Sequence, residues 1–221
     1  MRLRSVATPR VEPVALYVHI YDWFMQVPRG ERVSTYSICA VDPGMRLVGA
    51  AVASRYIAVG ALVPFLRTDA GAVLTQSIAN PLFGKKGLQL LSQGVSPEET
   101  ISTLLAEDER RNIRQLAVLG MDGSGASYSG KECTPTVAET REECVVALGN
   151  TLAAKEVPAR MVDSYRSSYV LDASGNSARI VSESAIQMAS ALLAALRAGE
   201  AAGGDRRGKQ AAALLVMGPG A

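Results

Sequence analysis

The chain has 221 residues, of which 48% are hydrophobic and 20% charged, with a formal net charge of +2. That balance suits one globular domain with a good core, and it leaves no basic footprint for nucleic acid or a membrane surface. No uninterrupted apolar run reaches the ~18 residues of a membrane span, and three cysteines without paired spacing, beside a single histidine, argue against disulfide frameworks and zinc sites and for a reducing cytoplasm.

Residues 1–33 read as a leader. They carry Arg2, Arg4 and Arg10, then an apolar patch from Pro13 to Phe24 broken by His19 and Asp22. A secretory signal has a cleaner apolar centre and a small-residue cleavage site. The domain proper is expected over 34–221.

The first clear unit is a β-hairpin, 35–41 and 46–53. Asp42-Pro43-Gly44-Met45 reverses the chain, with Pro43 fixing φ and Gly44 expected to take the positive φ of a type II turn. Both strands are almost continuously apolar, so both faces are expected to be covered. Gly49, Ala50, Ala51 and Ala53 indicate a closely packed neighbouring layer. Residues 56–66 are apolar and punctuated by Gly60 and Pro64. Gly71–Gln76 reads as a buried strand.

Asn80-Pro81 leads into a helix expected near 85–92, closed by Gly94. Ser96-Pro97-Glu98-Glu99 is a helix start: Ser96 caps, Pro97 fits the first helical position and Glu99 completes a capping box. Ile113–Gly120 reads as a strand, Asp122-Gly123-Ser124-Gly125 as a hairpin turn and Ala126–Ser129 as the returning strand. Cys144–Leu148 is another strand, ending at Gly149-Asn150. A helix is expected over 155–167, a surface excursion over 172–178, a further helix through Ile186–Leu196 closed by Gly199, and a last strand over Gln210–Met217. Hairpins outnumber βαβ units, which favours an α+β layered sandwich with mostly antiparallel sheets.

Several residues are candidates for chemistry, each with a plainer alternative. Thr35 and Ser34 sit at a strand start. A Ser or Thr at a free amino terminus can attack with its own amine as base, without histidine; otherwise both are ordinary strand-leading residues. Ser54, ending the adjacent strand, is a site hydroxyl or a turn residue. Gln76 and Asn80 are donors to an oxyanion or fasteners of a loop. Asn150 is an oxyanion donor or takes a left-handed turn. Asp205 with Arg206 is an orienting ion pair or a solvated loop. Glu98-Glu99 and Glu142-Glu143 are adjacent rather than facing, and the glycines of 120–125 lack the Lys-Ser/Thr of a phosphate loop. Cys39, within an apolar strand, reads as a small core hydrophobe.

Thr35-Tyr36-Ser37-Ile38, Val52-Ala53-Ser54, Ala58-Val59-Gly60-Ala61, Gly71-Ala72-Val73-Leu74-Thr75-Gln76-Ser77, Ala79-Asn80-Pro81, Gly84, Gly87-Leu88, Arg114-Gln115-Leu116, Gly149-Asn150 and Ala202-Gly203-Gly204-Asp205-Arg206-Arg207-Gly208 occur in that order. Together, from 34 to about 217, they resemble the Ntn-hydrolase-like family called domain of unknown function 1028. The resemblance implies the four-layer αββα sandwich of N-terminal nucleophile hydrolases. It implies an amide-bond hydrolase with Thr35 or Ser34 as nucleophile, Ser54 and Asn150 as catalytic partners, and Gln76, Asn80, Asp205 and Arg206 around a small-molecule or peptide amide. It implies no metal or organic cofactor, and it makes a homodimer an arrangement to test.

Three departures from the family pattern stand out. Members begin Met-Thr-[Tyr/Phe]-Ser, whereas Ser34 and the leader precede Thr35 here; a GTG start codon at Val33, or cleavage beside Ser34, would restore a terminal hydroxyl residue. Ala211 follows Gln210 where many relatives carry Ser. Relatives also run on past the last strand, so a shorter chain is expected to leave a sheet edge or core face open. These departures favour the rival reading, a non-catalytic binding or assembly protein that keeps the fold.

Overall fold

The computed structural model describes residues 18–21, 35–169 and 178–219. Ser34, the remaining leader residues, the Val33 start and most of the 172–178 excursion lie outside the described residues.

Strand β1 (Val18–Tyr21) precedes the hairpin of β2 (Thr35–Asp42) and β3 (Leu47–Ser54), whose sixteen positions are all buried. The reversal between them differs from the expected type II turn. Asp42 Oδ1 accepts from the Met45 amide at 3.0 Å, and the positive φ falls on Arg46 (52°) rather than Gly44. The aspartate holds the turn from within, and the left-handed residue falls two positions past the predicted Gly44. A short 3-10 turn at Val59–Ala61 and strand β4 (Pro64–Arg67) divide the 56–66 segment. Strand β5 (Gly71–Ser77) follows.

Helix α1 (Pro81–Ser92) begins four residues before its expected start, capped by Asn80 Oδ1, which accepts from the Leu82 amide at 3.2 Å. Helix α2 (Pro97–Ala106) starts as predicted, with Ser96 Oγ accepting from the Glu99 amide at 3.2 Å. Strands β6 (Arg114–Gly120) and β7 (Gly125–Ser129) form the second hairpin. Strand β8 (Ala138–Glu142) has no buried position, and its polar sequence gave no apolar alternation to read. Strand β9 (Val145–Asn150), helices α3 (Val157–Ser168) and α4 (Ala178–Ala201), and strand β10 (Ala211–Met217) complete the chain. Gly199 does not close α4. It lies inside it, where a Cβ would stand 2.8 Å from Met161 Cγ of α3, and the helix stops at Gly203 (φ 111°) and Gly204 (φ 54°).

Two antiparallel sheets result, one of order β1-β10-β3-β2-β9-β8 and one of order β4-β5-β6-β7. The outer edge of β10 is paired with β1, Val18 opposite Leu214 through Tyr21 opposite Ala211.

Three apolar interfaces define the layers. Tyr36, Ile38 and Ala40 of β2 pack on Met161 of α3 and Met188 and Leu192 of α4. Cys39, Val41, Val48, Ala50 and Val52 face Ala72, Leu74, Ala117 and Leu119 across the two sheets. Val73, Leu116 and Val118 pack on Leu88, Leu91 and Leu104 of α1 and α2. The order is therefore helices, six-stranded sheet, four-stranded sheet, helices: the expected four-layer α+β sandwich. Gly49 lets the first helical layer approach, since a Cβ there would meet Leu192 Cδ1 at 2.7 Å.

One ion pair pins the second helical layer to its sheet. Arg114 at the start of β6 donates to Asp108 Oδ2 at 2.6 Å and to the Ile78 carbonyl at 2.7 Å, and its side chain is 8% exposed. The guanidinium holds the Asp108 carboxyl below the usual range. A depressed folded-state pKa gives stability that is fully present above the unfolded value of about 3.9 and is lost as pH falls through the folded value. Asp108→Ala is expected to cost about 2 kcal/mol at pH 7, because Arg114 loses its partner. The difference from wild type should shrink as the pH is lowered below about 4, read by urea melts across pH; a pH-independent difference would contradict the pairing argument.

Candidate functional site

The site follows from strand periodicity. Alternate residues of a strand point to the same face. On β2, Cys39 and Val41 face the other sheet, so Ser37 and Thr35 continue that face. The same phase places Ser54 after Val52, Asn150 after Leu148, Gln76 after Leu74 and Gln115 before Ala117. The layer between the sheets is thus apolar along most of its length and polar at one end. All six polar residues are buried, none more than 1% exposed.

Register brings the central three into a row. Thr35 on β2 lies opposite Ser54 on β3 and opposite Asn150 on β9. Thr35 Oγ1 donates to Ser54 Oγ at 3.2 Å, and Ser54 Oγ also accepts from the Tyr56 amide at 3.0 Å. Gln115, a residue the sequence reading did not single out, ties the two sheets together. Its Oε1 accepts from Gln76 Nε2 at 2.8 Å and Asn150 Nδ2 at 3.0 Å. Its Nε2 donates to the Gly149 carbonyl at 2.9 Å and Ser129 Oγ at 3.0 Å. Gln76 Oε1 accepts from Ser37 Oγ at 2.6 Å, and Gln76 Nε2 lies 3.5 Å from the Thr35 carbonyl. Thr134 Oγ1 donates to Asn150 Oδ1 at 3.1 Å. The signal for Gln115 was present: a large polar residue in phase with the inward face of an apolar strand must be hydrogen-bonded.

The other candidates fall as follows. Asn150 ends β9, and the left-handed residue is the next one, Thr151 (φ 50°). Gln76 is likewise followed by a left-handed residue, Ser77 (φ 67°). Two non-glycine residues in this strained region thus directly follow two site amides. Asn80 caps α1 rather than joining the cluster. Asp205 is buried beside the end of β3 and accepts from the Arg55 amide at 3.4 Å, but its ion-pair partner is Arg207 (3.4 Å), whose own amide donates to Asp205 Oδ1 at 2.8 Å. Arg206 turns away, donating to Thr136 Oγ1 at 3.2 Å. Tyr36, on the opposite face of β2 from Thr35, donates to Glu200 Oε2 at 2.6 Å, and burial together with that carboxylate keeps its phenol protonated.

Cys39 is fully buried, and burial pushes its thiol up to about 12, which removes it as a nucleophile at neutral pH. Among the described residues no group of three or more His, Cys, Asp or Glu side chains is placed to hold a metal, and no helix is long and apolar enough to cross a membrane. A cavity of about 180 Å³ opens beside the cluster, with Gln76 and Ser77 at one wall and Tyr56, Val59, Leu62, Val63, Ile78 and Ala79 around it.

Fold and site together define a four-layer α+β sandwich that carries a buried hydroxyl–amide cluster at one end of its intersheet layer. The chain belongs to the Family of unknown function (DUF1028), which it matches over residues 35–220. It is similar to the crystal structure of protein SPO2555 from Silicibacter pomeroyi, also of family DUF1028, with 29% identity, a TM-score of 0.71, and coverage of 84% of this chain and 74% of that one. No curated protein matches it.

Proposed function

We propose that this protein is an amide-bond hydrolase of the N-terminal nucleophile type, with Thr35 as the attacking residue in a form whose chain starts there. The observation that carries the reading is the row Ser54–Thr35–Asn150: a β-strand hydroxyl bonded to a second hydroxyl on one neighbouring strand and in register with an asparagine on the other, at the polar end of the layer between the sheets.

The chemistry runs on the chain's own groups. A free α-amine on Thr35, with an ordinary pKa of about 8, has a neutral fraction at pH 7 that takes the proton from Oγ1. Oγ1 attacks the substrate carbonyl, and the amide N–H groups of Asn150 and Gln76 are the proposed donors to the resulting oxyanion. The carbon–nitrogen bond breaks as the ammonium of Thr35 returns its proton to the leaving amine. An ester on Oγ1 remains. Water, deprotonated by the same amine, hydrolyses it and restores the hydroxyl. Ser54 Oγ, within 3.2 Å, orients Oγ1. The substrate class is a small-molecule or peptide amide. Neither metal nor organic cofactor enters these steps.

A chain starting at Ser34 moves the amine one residue away and makes Ser34 the attacking group instead. In the 221-residue chain an internal peptide bond precedes Thr35, so processing or an internal translation start is part of this proposal.

A second reading, a binding protein that keeps the fold, is favoured by a different observation. The Thr35 side chain is fully buried and already engaged, and Ala211, opposite Ser54 on β10, supplies a methyl where the family resemblance implies a serine in many members.

The two readings separate on treating a chain that begins at Thr35 with a β-lactone, which acylates a competent hydroxyl with no leaving group. Intact mass should rise by one lactone, and peptide mapping should place it on Thr35. A correctly started chain that stays unmodified favours the binding role.

A further inference from the structure

The cavity beside the cluster touches it through one site residue, Gln76. Its inner wall is Gln76, 1% exposed, whose side chain binds Ser37 Oγ at 2.6 Å and approaches the Thr35 carbonyl at 3.5 Å. Its outer wall includes Tyr56, whose amide donates to Ser54 Oγ at 3.0 Å. Tyr56 and Gln76 thus each contact a neighbour of Thr35: Ser54, opposite it on β3, and Ser37, two residues along β2. Between them the lining is aliphatic, from Val59, Leu62, Val63 and Ala79, and no lining residue is charged. A volume of about 180 Å³ is well below the ~300 Å³ at which pockets for drug-sized ligands begin, so it fits one side chain or one short acyl group.

We propose that this cavity is the specificity pocket of the site, and that it selects amides whose acyl portion is a short, branched, uncharged aliphatic group, such as isovaleryl. The inference rests on the hydrolase reading for its catalytic meaning, but the pocket binds its ligand whether or not Thr35 reacts. A carboxylate or ammonium entering here would lose water and meet no opposite charge, which excludes charged acyl groups. Each methylene buried against the aliphatic wall strengthens binding by about fourfold. Gln76 and Ser77 present the polar wall to the amide end of the ligand.

The probes are acetamide, isovaleramide and succinamate, added to the 221-residue protein and followed by chemical-shift perturbation of backbone amides. Isovaleramide is expected to bind at least tenfold more tightly than acetamide and to shift the amides of Tyr56, Leu62 and Gln76, with succinamate giving no shift. Ala79→Phe and Leu62→Asn are the test variants. Both positions are only partly buried, so both proteins are expected to fold, as checked by Tm. Ala79→Phe fills the cavity and should abolish the isovaleramide shifts; Leu62→Asn should weaken isovaleramide by about fivefold or more while leaving acetamide unchanged. Equal affinity for the three probes, or undiminished isovaleramide binding in a folded Ala79→Phe protein, overturns the pocket. If isovaleramide binds as predicted but a chain started at Thr35 is inert to β-lactone, the pocket stands and the hydrolase reading alone fails.

Discussion

Thr35→Ala, in a chain started at that position, is expected to abolish acylation by a β-lactone and to lower amide hydrolysis by a factor on the order of 10⁴ or more, the usual scale for deleting a nucleophile. The fold should barely notice. The lost hydroxyl makes one bond, to Ser54 Oγ, so the stability change is about 1 kcal/mol. Thr35→Ser keeps the oxygen and the amine and should retain measurable acylation. Rates for the three proteins, measured with a chromogenic anilide or by mass after lactone treatment, decide the matter. Undiminished acylation in Thr35→Ala would move the chemistry elsewhere in the molecule.

Gln115→Leu should be the most destabilising single change at the site. The glutamine is fully buried and makes four hydrogen bonds, two of which, to the Gly149 carbonyl and the Asn150 amide, join the two sheets. A leucine of similar size leaves the Gln76 and Asn150 amides without that acceptor and the Gly149 carbonyl without that donor. Each stranded buried group costs about 1–3 kcal/mol. The sum, tempered by relaxation, is about 4 kcal/mol, or a Tm lower by about 10 °C for a chain of this length. Chemical denaturation and calorimetry read it directly. A loss below about 1 kcal/mol would show that the network contributes little to holding the sheets. The same variant should also impair acylation at Thr35, because Asn150 and Gln76 are no longer held on either side of it.

Local signals in the sequence account for much of this architecture. The apolar runs of 35–41 and 46–53 and the Asp-Pro-Gly turn specify the central hairpin, and Ser96-Pro97 specifies the start of α2. The hairpin also puts Ser54 opposite Thr35, a short-range consequence of turn length. Long-range pairing is different. Nothing in the strand ending at Asn150 says that β9 lies beside β2, so its place in the row came from the family resemblance. Gln115 lies within the strand expected over Ile113–Gly120, but only its phase with Ala117 and Leu119 shows that it points inward. Helix α1 begins at Pro81, directly after the Asn80 cap, rather than near 85. Gly84 is where the Phe65 ring lies against the helix, 2.1 Å from where a Cβ would be. Asp205 was matched with its sequence neighbour Arg206, but the turn in which the Arg207 amide bonds back to the carboxylate brings the next arginine to it.

The account turns on an unblocked main-chain amine next to the Thr35 hydroxyl. Three versions of the protein test it side by side: one beginning at Thr35, one at Ser34, and the 221-residue chain. After β-lactone treatment, intact mass and peptide mapping should show Thr35 modified in the first and unmodified in the third, with any adduct in the second on Ser34. Equal modification of Thr35 in all three, or in none, contradicts it.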